Sequence, residues 1–291
     1  MTNYPRDSLI NQAKLLRRLL RQLRQKVRFK RISLEGIPIL FGNSFPKSGT
    51  HLLTQILSGF EKVAPVVDSG LPAVLTYEGP TGTPREVSVI LKDLKRLQPG
   101  DIAYGHIHAL PELIAWMCKE GVASFFIYRD PRDVVVSHVH YVTHMAPNHV
   151  HHRYYQEDLK NFDERLCVSI TGRADLDIPF PNIQERFAPY LGWLKRPEVL
   201  SIKFEDLIDN RTEALGRIVD HILARGLSID MDRDRIVQII SENIHPERSP
   251  TYRSGKVGRW REAFSDDNIK LFKKVSGDLL ITLGYENGTD W

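Results

Sequence analysis

Phe45-Pro46-Lys47-Ser48-Gly49-Thr50 sets a lysine, two hydroxyls and a glycine into one short polar stretch. The apolar run from Ile37 to Phe41 precedes it, and Leu52, Leu53, Ile56, Leu57 and Phe60 follow at helical spacing. A strand, a tight loop and a helix start in that order leave unpaired backbone N–H groups at the positive end of the helix dipole. Such a place suits a phosphate or a sulfate. Lys47 adds a mobile positive charge there. Two further clusters could share the chemistry. Asp101 to Tyr104 reads as a short strand that runs into His106 and His108, and an imidazole beyond a strand end can move a proton. Val122 to Tyr128 is the clearest strand, and it ends on Arg129, with Ser137 eight residues later. The arginine fork and the serine hydroxyl can reach one anion.

The elements that must position these groups alternate strand and helix. Pro131 and Asp133 are helix-start signals, so Arg129 lies at a strand end and Ser137 about two turns into the following helix. Strands near residues 38, 102, 124 and 200 each end in polar groups, which argues for an α/β layout with a mostly parallel sheet. Val63 to Gly100 carries Pro65, Pro72, Pro80, Pro84 and Pro99 and reads as a long connection holding one helix, roughly 84–97.

At 291 residues the chain can bury a full core. Its net charge of +4 is uneven: residues 1–34 hold ten Lys or Arg against Asp7 alone, leaving −5 for the remainder. The basic character is therefore N-terminal and does not describe a nucleic-acid-binding face. Leu15, Leu16, Leu19, Leu20, Leu23 and Val27 repeat along one face of a basic helix within residues 1–31. The first expectation is that these leucines dock on the helix's own domain or on a second subunit. The alternatives are an anionic membrane surface or an acidic partner. No eighteen-residue apolar window occurs, and residues 1–31 lack a signal-peptide core, so the expectation is a cytoplasmic protein, with a peripheral membrane position as the variant. Cys118 and Cys167 form no metal or redox spacing. Six of the eleven histidines fall between His138 and His152. His140 and His144 share a helix spacing, but no carboxylate or cysteine completes a ligand set. With Tyr141, Arg153, Tyr154 and Tyr155 nearby, the stretch near 138–182 reads as an acceptor-binding or lid segment, and no metal is expected.

The order Pro-Lys-Ser-Gly-Thr differs from a Walker A loop, in which lysine follows the glycine and precedes Ser or Thr. It resembles instead the 5′-phosphosulfate loop of the sulfotransferases, which use 3′-phosphoadenosine 5′-phosphosulfate (PAPS) and no metal. Three other motifs occur in the family's order, so the resemblance spans about Ile37 to Trp260. It implies a P-loop-like three-layer α/β/α domain over 32–291. By the same resemblance His106 is the catalytic base, with His108 as fallback, and His108 stands where the family has proline. Lys47 and the backbone N–H groups of Ser48, Gly49, Thr50 and His51 would stabilise the leaving phosphate and the sulfuryl oxygens. Arg129 and Ser137 match the 3′-phosphate site. Phe204, ahead of Glu205-Asp206, stands where the family's tyrosine meets the adenine, and Leu52 where many relatives have tryptophan. Arg253, Gly255, Gly258 and Trp260 match the C-terminal motif that closes over the 3′-phosphate, with Ser254 in place of its lysine. The short dimer signature of the soluble animal enzymes is not preserved, since Asp266 and Lys270 stand in it.

The implied activity is in-line transfer of the sulfuryl group from PAPS to a hydroxyl or amine of a small-molecule, sugar or lipid acceptor, with 3′,5′-adenosine bisphosphate as product. Two other classes stand beside it. A P-loop kinase would need a Mg²⁺-holding aspartate, for which Asp130 is the candidate. A non-catalytic nucleotide-binding module would keep the donor site with His106 inert.

Overall fold

A computed structural model describes residues 4–79, 81–248 and 255–291. The chain opens with helix α1 (Tyr4–Arg28), strand β1 (Ile39–Ser44) and helix α2 (Thr50–Phe60). Then come β2 (Val67–Asp68), β3 (Val74–Leu75), α3 (Val87–Leu94), β4 (Asp101–His106), α4 (Pro111–Cys118), β5 (Val122–Tyr128) and α5 (Pro131–His140). A π-helical turn over Tyr141–Met145 leads to α6 (His152–Glu157), α7 (Phe162–Thr171), α8 (Ile183–Phe187) and a 3-10 stretch, Ala188–Lys195. After β6 (Val199–Lys203) the chain adds α9 (Phe204–Asp209), α10 (Arg211–Ala224), α11 (Arg233–Glu242), α12 (Trp260–Ala263), α13 (Asp266–Ser276) and α14 (Leu279–Thr282).

The strands form one sheet in the order β2-β4-β1-β5-β6, with β3 also on β4, and every pairing is parallel. β1 and β5 are buried at every position, as parallel strands must be when helices cover both faces. Alternate side chains feed opposite layers. Ile39, Phe41, Val122 and Phe126 face one core, with residues of α3, α4, α5 and α13. Leu40, Ala123, Phe125 and Ile127 face the other, with residues of α2, α10 and α11. The expected strands are all present. The two-residue strands β2 and β3 are additions inside the proline-rich connection, and the helix expected over 84–97 is the shorter α3. Pairing of Asn43 with Gly105 and of Ser44 with Ile127 brings the carboxyl ends of β1, β4 and β5 to one level. The loops that follow those ends therefore meet at one edge of the sheet.

α1 lies at the opposite edge, and its seating corrects the expectation that its leucines dock on the domain. The polar face docks instead: Arg18, Gln22 and Gln25 are buried, while Leu16, Leu19, Leu20, Leu23 and Val27 are 48 to 73% exposed. The cause is what the domain offers there. Asp101, the first residue of β4, is buried and accepts from Arg18 and Gln22. The carbonyl of Arg96 beyond α3 accepts from Arg18 at 3.2 Å, and those of Glu61 and Lys62 beyond α2 accept from Gln25 and Arg28 at 3.2 and 2.9 Å. Helix C-termini and a buried carboxylate attract cations, not leucines. Arg18→Ala strands the Asp101 carboxylate in the interior and is expected to lower folding stability by about 3 kcal/mol, read by urea unfolding. An unchanged midpoint would show that the pair contributes nothing.

Candidate active site

The loop after β1 is shaped by two left-handed residues. Lys47 has φ 69° and Gly49 φ 92°, and the turn over Pro46 and Lys47 is closed by the Ser48 amide, which donates to Phe45 O at 3.1 Å. The Ser48 amide is thus engaged inside the loop. Gly49 is the N-cap of α2 and offers no side-chain cap, so the amides of the first turn, beginning with Thr50 and His51, stay available. The Ser48 hydroxyl is buried without a partner. A Cβ on Gly49 would lie 2.6 Å from Cδ2 of Phe204. Gly49→Ala therefore combines a left-handed backbone with a ring clash. It should weaken binding of adenosine bisphosphate by at least about tenfold, measured by calorimetry. Wild-type affinity in that variant would mean the loop is not part of the binding site.

The Lys47 ammonium sits 3.5 Å from the ring centroid of Tyr141, on the π-helical turn. Burial, helped by the charge of Arg129, lowers its pKa from the usual 10.5 to about 8.

His106 closes β4 beside the end of β1. Its Nδ1 is 2.7 Å from the Ser44 carbonyl oxygen, which can only accept, so Nδ1 carries the hydrogen and Nε2 presents its lone pair. The Ser44 hydroxyl lies 3.2 Å from the same nitrogen and 3.1 Å from the Thr50 hydroxyl, so one residue joins the imidazole to the start of α2. Burial pushes the His106 pKa down, the Ser44 carbonyl opposes this, and Lys47 adds to it. Burial and Lys47 thus favour the neutral ring. His108 is set differently. Its amide donates to the Thr76 hydroxyl at 3.1 Å, and its ring stands edge-on to Tyr77 and Tyr190 at 5.4 and 4.8 Å. Burial lowers its pKa to about 4.

Arg129 leaves β5 and folds over Phe204, with its guanidinium carbon 4.6 Å from the ring centroid. Nη2 donates to Asp133 and to the Lys256 carbonyl, both at 3.0 Å, while Nε is buried without a partner. Ser137, half-buried, is one turn beyond Asp133 on α5 and so shares its face. Gly255, with φ 59°, precedes Lys256. Arg253 and Ser254 lie outside the described residues. The structure thus gathers Lys47, Ser48, Gly49, Thr50, His106, Arg129 and Phe204 at the carboxyl edge of the sheet. His51 is exposed on α2, and partial burial of its ring, with the Lys47 charge as the smaller cause, lowers its pKa.

The sulfotransferase domain family matches residues 40–284. The chain belongs to the sulfotransferase family. Flavonol 3-sulfotransferase of Flaveria bidentis is 23% identical over 277 residues, covering 84% of this chain and 82% of that protein. Among solved structures, a mouse sulfotransferase complexed with PAP shares 20% identity at a TM-score of 0.55, covering 87% of this chain and 88% of that one. A retinol dehydratase in complex with retinol and PAP shares 18% at 0.54, over 83 and 81% of the two chains. At these identities the structural likeness speaks for the fold.

Several side chains at this site have contacts that residue order did not indicate. Asp133, read only as a helix-start charge, accepts from Arg129 and also from the Gly258 and Trp260 amides at 2.9 and 3.0 Å. It ties the arginine to the C-terminal motif. Asp130 caps α5 and pairs with Arg132 at 2.7 Å, and Arg132 lies between the rings of Trp260 and Trp291. Tyr141 had no stated partner in the sequence, because its contact with Lys47 depends on the π-helical turn. The histidines of 138–152 tie their segment together: His138 stacks on Phe180 at 4.8 Å, His151 Nε2 meets Ile178 O at 2.7 Å and His152 Nδ1 meets Val142 O at 2.6 Å. Among the described residues no group of three or more His, Cys, Asp or Glu is placed to hold a metal ion.

Proposed function

We propose that this sulfotransferase moves the sulfuryl group of PAPS to a hydroxyl of a flat, largely apolar small molecule, with His106 as base. The observation that carries the reading is the His106 Nδ1 bond to Ser44, which leaves the lone pair on Nε2 at a strand end beside the one that carries the lysine loop. The site fits the donor on its own terms. Gly49 leaves a cradle that a Cβ would fill, the Ser48 hydroxyl and Arg129 Nε are buried polar atoms without partners, and α2 offers its first-turn amides. PAPS would supply an activated sulfuryl group on a phosphosulfate anhydride. Lys47 and the Thr50 and His51 amides would hold its phosphosulfate and stabilise charge on the departing oxygen. Arg129, Ser137, Arg253 and Gly255 would hold the 3′-phosphate, with Lys256 near the place of the motif's missing lysine, and Phe204 would border the adenine. His106 Nε2 takes the acceptor proton.

Tyr77 and His108, edge-on to each other near His106 and backed by the buried Tyr190, give an aromatic border that favours a phenol or another ring alcohol over a sugar. The segment near 138–182 reaches the loop through Tyr141 and would cover the acceptor. A cytoplasmic place, peripheral to a membrane through α1, fits the charge of the N-terminal helix. No described helix is long and apolar enough to cross a membrane. A kinase reading is disfavoured because the Asp130 carboxylate is taken up by Arg132.

The test offers labelled PAPS or ATP with phenols, flavonols, sterols and sugars. Sulfate should reach the ring alcohols, with thermal stabilisation by adenosine bisphosphate. Phosphate transfer from ATP, or no stabilisation, would end the proposal.

A further inference from the structure

α1 carries three stripes. The first, Arg18, Gln22 and Gln25, is spent on the domain. Leu16, Leu19, Leu20, Leu23 and Val27 form the second, pointing away from the protein. Arg17 and Arg24 are exposed along one flank of the leucines and form the third; Arg21 and Arg28, on the same flank, are tied to the domain through the Asp68 carboxylate and the Lys62 carbonyl. A cleft of about 230 Å³ opens beside this flank, lined by Arg21, Arg24, Gln25, Arg28, Glu61 and Val67.

We infer that this face of α1 lies in the surface of an anionic bilayer, leucines in the acyl boundary and arginines at the phosphate level. The charge decides the occupant. A second copy packed leucine to leucine would bring arginine flanks against each other within a segment of net charge +9. An anionic leaflet meets both the apolar stripe and the basic flank. The docked stripe makes the arrangement rigid: the Arg18–Asp101 pair fixes the helix to the amino end of β4, so the leucines cannot turn inward without breaking it.

The seating also sets an orientation. His106 ends the strand that Asp101 begins, about 17 Å away at strand spacing. The catalytic edge therefore faces away from the bilayer, and acceptors come from the water side. A lipid acceptor held in the same leaflet is out of reach. The inference deepens the peripheral placement proposed above and is independent of which group is transferred.

Full-length protein is mixed with vesicles of phosphatidylcholine, alone or with phosphatidylserine, and separated by flotation. Binding to the serine-containing vesicles is expected, falling with salt, and binding to phosphatidylcholine alone should be far weaker. Leu16→Gln, Leu20→Gln and Leu23→Gln together should lower the partition by about a hundredfold. Arg17→Gln with Arg24→Gln should lower it by about thirtyfold. These positions are exposed, so far-UV dichroism and sulfate transfer to a soluble phenol should remain at wild-type values. Vesicle-bound wild type should turn over the same phenol with unchanged KM. Three results would overturn the inference: no flotation, equal flotation on neutral vesicles, or a dimer in solution that the leucine variant dissolves. Loss of transfer with flotation intact would count against the function proposed above and not against the membrane face.

Discussion

His106→Ala lowers kcat for sulfuryl transfer by about a thousandfold, while affinity for adenosine bisphosphate stays within about twofold. The asymmetry follows from where the ring stands. Nδ1 is committed to the Ser44 carbonyl, so the side chain helps orient one strand end but offers only Nε2 to a ligand. Removing it deletes proton transfer and leaves Lys47, the α2 amides and Arg129 in place. The pH profile separates a base from a structural histidine. Burial and Lys47 hold the His106 pKa below the ordinary 6.5, so the reactive neutral ring persists into mildly acid solution. kcat should rise with pH along a limb centred below 6.5, and that limb should vanish in His106→Gln. An unchanged limb in the glutamine variant, or transfer at wild-type rate in the alanine variant, would move the role to His108 or to no histidine at all.

Lys47→Met is expected to lower kcat/KM by about a thousandfold and to remove the alkaline limb of the profile. The ammonium is buried against Tyr141 and feels Arg129, which brings its pKa to about 8. Above that value the lysine is neutral and cannot attract an anion, so kcat/KM should decline as pH rises through about 8. A bound phosphosulfate restores the charged form, so the kcat limb should lie higher than the kcat/KM limb. The methionine variant keeps the chain's bulk over Tyr141 and should fold normally. If its alkaline limb is unchanged, the titrating group is another residue.

Much of this site could be read from residue order. Lysine, glycine and threonine between an apolar run and a helical repeat specify an anion loop. Val122 to Tyr128 followed by Arg-Asp-Pro specifies where the arginine must stand. Local rules reach that far because strand ends and helix starts are set by neighbours in sequence. What escaped depends on contacts between distant segments. The Asp133 carboxylate gains its meaning from amides 125 and 127 residues away. The Lys47 contact with Tyr141 needs a π-helical turn that no local propensity announces. The orientation of α1 is not legible in the sequence, because amphipathicity says that a helix has two faces, not which one the domain will take. Helix C-termini and Asp101 at the receiving edge made the polar face the better fit.

The left-handed backbone of Lys47 has a consequence for robustness. Lysine is disfavoured at φ 69°, where glycine rests easily, and its ammonium is buried as well. Because the folded protein binds this proton less tightly than the unfolded chain, the residue opposes folding at neutral pH. The opposition fades only between about 8 and 10.5. A glycine at this position is expected to make a sturdier protein and, on the role proposed for Lys47, to lose transfer, so that turnover and stability pull the loop in opposite directions.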